Sequence, residues 1–414
     1  MNILEVKSPY AIHEISEKQK LTKNNSVFFN GVVVYDLSEN RLSSVPIYEL
    51  SPAIISLDSG YIVDGKYVFT DEGIFIAEGF QWGASGVVSE MMKYNEVNKN
   101  IDPNSADTLR VDNVLIDLPT KTSIPCYRKL HDTVLEDAMF LGGFDNLSHF
   151  MMEIIPKAAR LQQALDATKT KKIAYSDIIP SKWVEYVLKI SNSVYNTQKT
   201  FVTQKIPELK AVKFKNLSLI SSGMFRNNDE NIMMSVEEAR LTKHHMIKTA
   251  TTSLKKSKKY VLYLSRKYAK HRKVLNQESV FEIIKKNLPD LELVIEHKIH
   301  SLSMEEQAGL IHNASVVIEE GGGSTGFTSN LIGDEVPYVV IASKERTSMA
   351  GKVYLGALHR YAAWFAGKPV EEQHQNFKID SDMILNEKEF NNLIERVAKM
   401  VADKTLFPVI ARLT

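Results

Sequence analysis

The sequence predicts an α/β protein, doubly wound in its second half and rich in strand over its first 125 residues. Three observations lead there. Ser315-Val-Val-Ile318 and Tyr338-Val-Val-Ile341 are short, almost wholly apolar runs, the pattern of strands in a parallel sheet covered on both faces. Helix-length stretches separate such runs. Glycines close two of the strands, at Gly142-Gly143 and at Gly321–Gly326.

Size and composition set the outer limits. A chain of 414 residues fits two or three domains, and 44% hydrophobic content suits a soluble protein with well-buried cores. The formal net charge is +1, so no global field points to a nucleic-acid partner. The one cysteine, Cys126, excludes an internal disulfide framework and fits a reducing compartment. No run reaches the ~18–20 apolar residues of a membrane span. The start, Met1-Asn-Ile-Leu-Glu-Val-Lys7, lacks the charged-then-apolar pattern of a secretion signal. The expectation is a cytoplasmic protein, with peripheral contact at the inner face of the plasma membrane left open.

The elements come in chain order. Val27–Tyr35 and Gly60–Phe69 are β-branched and aromatic runs, the second broken by an Asp64-Gly65 hairpin signal. From about residue 126 strands and helices alternate. Ala138–Gly143 predicts a strand, and Leu147–Leu165 a helix capped by Asp145 or Asn146 and kinked at Pro156. Lys172–Ser176 is the next strand and Ser181–Ile190 the next helix. Ser235-Val-Glu-Glu238 opens a helix that runs into the basic stretch Lys243–Lys259. Strands are then expected at 260–265, 291–296, 315–319 and 337–342, with helices near 277–287, 304–313 and 325–332. A last helix spans about Met383 to Val401.

Two clusters carry chemistry. Arg266 and Arg272 come just after the strand at 260–265, and the guanidinium is a planar fork that matches phosphate oxygens and keeps its charge. At the same sheet edge the loop Glu319-Glu-Gly-Gly-Gly-Ser-Thr-Gly-Phe-Thr-Ser-Asn330 suits an anion, through its amides and the hydroxyls of Ser324 and Thr325. A P-loop is excluded, because Phe327 stands where the phosphate-binding lysine belongs. A hydrolase elbow on Gly322-Gly-Ser324-Thr-Gly326 keeps the required order with Asp334 and His359 or His374. Few strands would remain to carry those partners. The second cluster is His149 and Glu153, four apart on one helix face, where a carboxylate and an imidazole can deprotonate a hydroxyl. Asp380-Ser-Asp382 resembles the Asp-x-Asp of metal-dependent sugar transferases but precedes the terminal helix, where an aspartate is a natural cap.

At these residues the chain resembles glycosyltransferase family 61, the DUF563-type transferases of bacterial surface-polysaccharide synthesis. Three segments carry the resemblance: Asn146-Leu-Ser-His149-Phe-Met-Met-Glu153-Ile-Ile-Pro156, then Leu264-Ser-Arg266 with Arg272 to Glu278, then Leu302 to Ile318 with the glycine loop and Asn330. It covers roughly residues 130 to 345. One departure stands out: the family's loop histidine is replaced by glycine, at Gly321 or Gly322.

The resemblance implies a GT-B architecture, with two Rossmann-like domains facing across a cleft, inversion, and no obligatory metal or cofactor. It places the acceptor domain at 126–250, the nucleotide-sugar domain at 251–380, and a terminal helix at 381–414 packing back on the acceptor domain. Glu153 is then the expected base, with His149 as its orienter or as the base itself and Asp145 in reserve. Arg266, Arg272 and the amides of Gly322, Gly323, Ser324, Thr325 and Gly326 would take the departing diphosphate, Asn330 would support them, and Glu320 would hold ribose hydroxyls. The implied co-substrate is a nucleotide sugar such as a UDP-sugar, and the acceptor a glycan or lipid-linked glycan in capsule or lipopolysaccharide synthesis. A homo-oligomer is left open. The competing readings are a serine hydrolase using Ser324 and a non-catalytic nucleotide-sugar-binding partner.

Overall fold

The structure, a computed structural model, describes residues 3–5, 32–36, 41–45, 48–49, 54–71, 108–117, 122–143, 146–208, 210–221, 224–226, 232–251, 260–322, 324–333, 336–343, 362–370 and 381–403. The fold is mixed α/β with parallel sheets, in two units. One comprises Met1–Val27 and Tyr48–Thr242, the other Phe28–Ile47 and Lys243–Thr414.

The early strands are β1 (Ile3–Glu5), β2 (Val32–Asp36), β3 (Arg41–Val45), β4 (Tyr48–Glu49), β5 (Ile54–Leu57), β6 (Gly60–Val63), β7 (Tyr67–Thr70), β8 (Thr108–Asp117) and β9 (Thr122–Leu130). Alternation then begins. β10 (Leu135–Gly142) leads through a broken helical segment to α1 (Leu161–Thr168), β11 (Lys172–Ser176), α2 (Ser181–Tyr195), β12 (Val202–Ile206) and the long β13 (Lys210–Ile220). The order is β1-β5-β13-β10-β11-β12, and β10, β11, β12 and β13 pair in parallel.

Among the described residues, the strands before residue 125 do not form a sheet of their own. β5 and β6 lie antiparallel on β13, and β6 turns into β7 through Asp64 and Gly65, both at positive φ. That is the backbone a tight hairpin with right-handed twist needs. Ile55, Ile62 and Val68 thereby share one core with Phe140, Ala174 and Phe214. Under the turn, Arg128 Nε donates to both Asp64 carboxylate oxygens, at 2.8 and 3.0 Å, with both side chains fully buried.

The second unit is plainer. The chain enters it along α3 (Val236–Thr251), which leads into β16 (Tyr260–Leu264), α4 (Gln277–Asn287), β17 (Glu292–Glu296), α5 (Met304–His312), β18 (Val316–Glu320), α6 (Thr325–Leu331), β19 (Tyr338–Ser343) and β20 (Ala362–Pro369). Two short strands of the first unit, β14 (Met224–Arg226) and β15 (Ile232–Met234), precede α3 and pair with each other and with β4. The strands expected at 260–265, 291–296, 315–319 and 337–342 appear as β16, β17, β18 and β19, within one residue at each end. Ser303 supplies the capping box of α5, its Oγ accepting the Glu306 N–H while Glu306 Oε2 accepts the Ser303 N–H.

The sheet order is β17-β16-β18-β19-β20-β2-β3, parallel up to β2. The N-terminal hairpin of β2 and β3 thus extends the sheet of the second unit. From β16 the chain moves to one side to build β17 and crosses back to build β18 on the other. This reversal opens a crevice at the carboxyl ends of β16 and β18, where open parallel sheets bind ligands.

The terminal helix, α7 (Glu387–Asp403), packs within the second unit. Phe390, Leu393, Ile394 and Val397 form an i, i+3, i+4, i+7 stripe buried with Val280, Phe281 and Ile284 of α4. The expected cap is a different residue: Asn386 Oδ1 accepts the Glu389 N–H, while Asp382 binds Lys273. Among the described residues no helix is long and apolar enough to cross a membrane.

Removing one partner of a buried ion pair strands the other charge, at a cost of about 3–5 kcal/mol. Arg128→Ala is expected to lose that much stability in urea titration.

Candidate active site

In the first unit, β10 ends at Gly142 and helix resumes at Leu147. Asn146 Oδ1 accepts the His149 N–H at 3.4 Å, so Asn146 takes the cap position. Asp145 lies outside the described residues.

Pro156 governs the shape of the helical segment. It has no N–H for the carbonyl four residues back, and its ring would collide with that carbonyl in a regular helix. The helix expected over 147–165 therefore breaks into an α-turn (Leu147–His149), a π segment (Phe150–Ile154) and a 3-10 segment (Ile155–Ala159) before α1. In the π segment the Ile155 N–H reaches back to the Phe150 carbonyl. Such insertions recur at functional sites.

His149 and Glu153 meet across this segment, His149 Nδ1 lying 2.8 Å from Glu153 Oε1. A carboxylate can only accept, so Nδ1 carries the hydrogen and Nε2 is the basic nitrogen. The Glu153 side chain is 2% exposed and that of His149 17%. The imidazole is thus the member of the pair that a substrate can touch.

One helical step further on, Lys157 is buried, and its Nζ donates to the Leu141 carbonyl at 2.9 Å. Desolvation lowers its ammonium to about 8, against the opposing pull of the Glu153 carboxylate. Sequence reasoning missed this lysine, because spacing shows that a side chain shares a helical path but not that it is buried.

In the second unit, Arg266 and the glycine loop meet at the crevice between β16 and β18. The Arg266 guanidinium lies directly on Gly322, where an added Cβ would come within 2.1 Å of Nη1. Arg266 Nε donates to the His271 carbonyl at 3.3 Å. Arg272 stands at φ 66°, a left-handed conformation unusual for arginine.

Two adjacent carboxylates hold this edge together, and alternation along β18 sends them to opposite faces. Glu320 accepts four hydrogen bonds: from Tyr263 Oη at 2.9 Å, Gln277 Nε2 at 2.6 Å, the Arg266 N–H at 3.2 Å and the Val274 N–H at 3.1 Å. Glu319 accepts from Ser324 Oγ and Tyr338 Oη, each at 2.6 Å, and from Thr325 Oγ1 at 3.3 Å. Burial raises the pKa of both carboxyls, and these donors oppose the shift.

Several expectations change accordingly. Glu320 does not face a ribose: it is buried and its oxygens are engaged in fastening the loop of Arg266–Val274. Asn330 is also buried, its Nδ2 bonded to the Gly326 carbonyl at 2.7 Å. The Gly322 amide donates to Thr325 Oγ1 at 3.1 Å, so the loop is not a row of open amides. Gly326 is buried, and Gly323 lies outside the described residues. Ser324 and Thr325 are half-buried at the loop's edge. Ser324 has φ −77° and ψ −19° and bonds a carboxylate, unlike the strained nucleophile of a hydrolase elbow paired with histidine.

The loop has a further tie. Asp382 Oδ1 accepts the Lys273 N–H at 2.9 Å, and the Asn276 side chain bonds both backbone groups of Leu385. The signal that could have revealed the Glu320 anchor was two glutamates closing an otherwise apolar strand.

Residues 147–325 match the model of the family Glycosyltransferase 61. This segment is similar to the family 61 glycosyltransferases. The match opens two residues before His149 and closes at Thr325, so the matched segment contains the His149–Glu153 pair, Arg266, Arg272 and the glycine loop as far as Thr325. No curated protein matches the chain significantly. Among solved structures, the E. coli heptosyltransferase WaaC with ADP aligns at 9% identity and a TM-score of 0.32, over 64% of this chain and 100% of that one. At that score the likeness carries no argument.

The depressed ammonium of Lys157 gives the glycosyltransferase a pH signature. An unfolded lysine keeps its proton to about 10.4, whereas the folded one releases it near 8. Its contribution to stability is therefore complete above the unfolded value and is lost as pH falls through about 8. Denaturant titrations of wild type and Lys157→Met at pH 7 and pH 10 should show the wild type gaining on the variant at the higher pH, by up to about 3 kcal/mol.

Proposed function

We propose that the chain is an inverting, metal-independent glycosyltransferase of the GT-B type, moving a sugar from a nucleotide-sugar donor to a hydroxyl of a surface-polysaccharide acceptor. The observation that carries the reading is the buried Glu153 carboxylate bonded to the more accessible His149. A paired imidazole is a general base suited to neutral pH. His149 takes the role of base and Glu153 that of its orienter.

The acceptor O–H gives its proton to His149 Nε2 while its oxygen attacks the anomeric carbon of the donor. The bond from that carbon to the diphosphate breaks, and its electron pair leaves with the phosphate oxygen. Attack opposite the leaving group inverts the centre. Glu153 accepts from Nδ1–H throughout and stabilises the imidazolium that forms. Negative charge developing on the diphosphate falls to Arg266 and Arg272, with the Ser324 and Thr325 hydroxyls at the loop's edge. Two fixed guanidinium charges supply what a divalent cation supplies elsewhere. A nucleotide donor such as a UDP-sugar and a capsule or lipopolysaccharide acceptor place the reaction at the cytoplasmic face of the membrane.

The test separates base from donor site. His149→Gln is expected to lower kcat by about a hundred- to ten-thousandfold and to leave donor affinity unchanged. Arg266→Ala should weaken donor binding or lower rate by about ten- to a hundredfold, the worth of one charged hydrogen bond. Gly322→Ala, which displaces the guanidinium, should reproduce part of that loss. Assays with EDTA and a panel of nucleotide sugars read these effects. Full activity in His149→Gln, or no turnover with any donor, overturns the reading.

A further inference from the structure

Tyr268 is 64% exposed, an unusual place for a large aromatic side chain, and nothing in the proposed transfer uses it. It sits in the loop between Arg266 and Arg272 that Glu320 and Asp382 fasten. His297, one residue beyond β17, meets it edge-to-face, with ring centroids 5.5 Å apart and planes at 73°. The Lys298 ammonium lies 5.3 Å from the centre of the Tyr268 ring. His297 Nδ1 is buried without a hydrogen-bond partner.

We propose that Tyr268, with His297 and Lys298, is the stacking platform for the nucleobase of the donor. The assignment rests on the donor site of the proposed function and adds a residue that reads the base. Two facts support it besides exposure. The platform lies at the carboxyl ends of β16 and β17, and the Arg266–Gly322 contact lies at those of β16 and β18. Base and diphosphate would thus occupy the two flanks of β16, joined by the ribose. The loop is also fixed at both ends, so the ring is held in place before ligand arrives, which limits the entropy lost on binding. An aromatic face accepts any base, and selection among bases would come from polar groups beside it, of which the exposed Lys298 ammonium is one.

Binding of UDP, ADP, GDP and inorganic pyrophosphate to wild type, Tyr268→Ala, Tyr268→Phe and Arg266→Ala, measured by calorimetry, tests this. At least one nucleoside diphosphate should bind wild type more tightly than pyrophosphate does. Tyr268→Ala should lose roughly ten- to a hundredfold in nucleotide affinity, keep its affinity for pyrophosphate, and keep its melting temperature because the ring is exposed. Tyr268→Phe should bind as wild type. If Tyr268→Ala binds the nucleotides as wild type does, or loses pyrophosphate equally, the platform is overturned and the diphosphate site stands. If wild type binds neither kind of probe, the donor site falls and the platform with it.

Discussion

A carboxylate taken out of water has to find donors, and Glu320 finds four of them. That requirement organises the edge of the second unit. Two of the donors are backbone amides, of Arg266 and Val274, at the two ends of a polar excursion. Their attraction to one buried charge turns that loop into a fixed shelf for Arg266, Tyr268 and Arg272. The other two, Tyr263 and Gln277, tie the shelf to the end of β16 and the start of α4. Glu319 does the same on the opposite face, binding the two hydroxyls that open α6 and the phenol of β19. Burial raises the phenol pKa values of Tyr263 and Tyr338 well above their usual range, and the neighbouring carboxylates push in the same direction. Both phenols accordingly stay donors.

A different constraint shapes the first unit. There a proline, rather than a charge, sets the geometry. By refusing the regular helical hydrogen bond, Pro156 releases the preceding turn into a π conformation, and His149, Glu153 and Lys157 succeed one another through that irregular backbone. Glu153 is thereby buried between an imidazole it bonds and an ammonium whose charge it favours.

Much of this is legible in the sequence. Apolar runs separated by capped helices locate β16 to β19 within a residue, because strands covered on both faces have few ways to be written. The pairing of His149 with Glu153 comes from four-residue spacing. What is not legible depends on burial and on distant partners. A glutamate beside a glycine loop has the same letters whether it faces ribose or Tyr263, so Glu320 as ligand group and Glu320 as anchor cannot be told apart without the fold. Asn330 and Asp382 mislead for the same reason: their partners, Gly326 and Lys273, are set by how the loops close. The stripe of Phe390, Leu393, Ile394 and Val397 announces a buried face without saying which neighbour will cover it.

The hairpin of β2 and β3 has a bearing on how the protein is made. The chain passes from one unit to the other three times, after Val27, Ile47 and Thr242. Asp36 pairs with Trp364, so an early product of the ribosome waits for nearly the whole remaining polypeptide before its sheet can close. Such long-range pairing is slow and leaves strand edges exposed meanwhile. A chain begun at Lys243 would carry β20 as a bare edge, open to pairing with another molecule. The second unit is therefore not fully specified by the contiguous stretch from Lys243, because part of its sheet is encoded before Ile47.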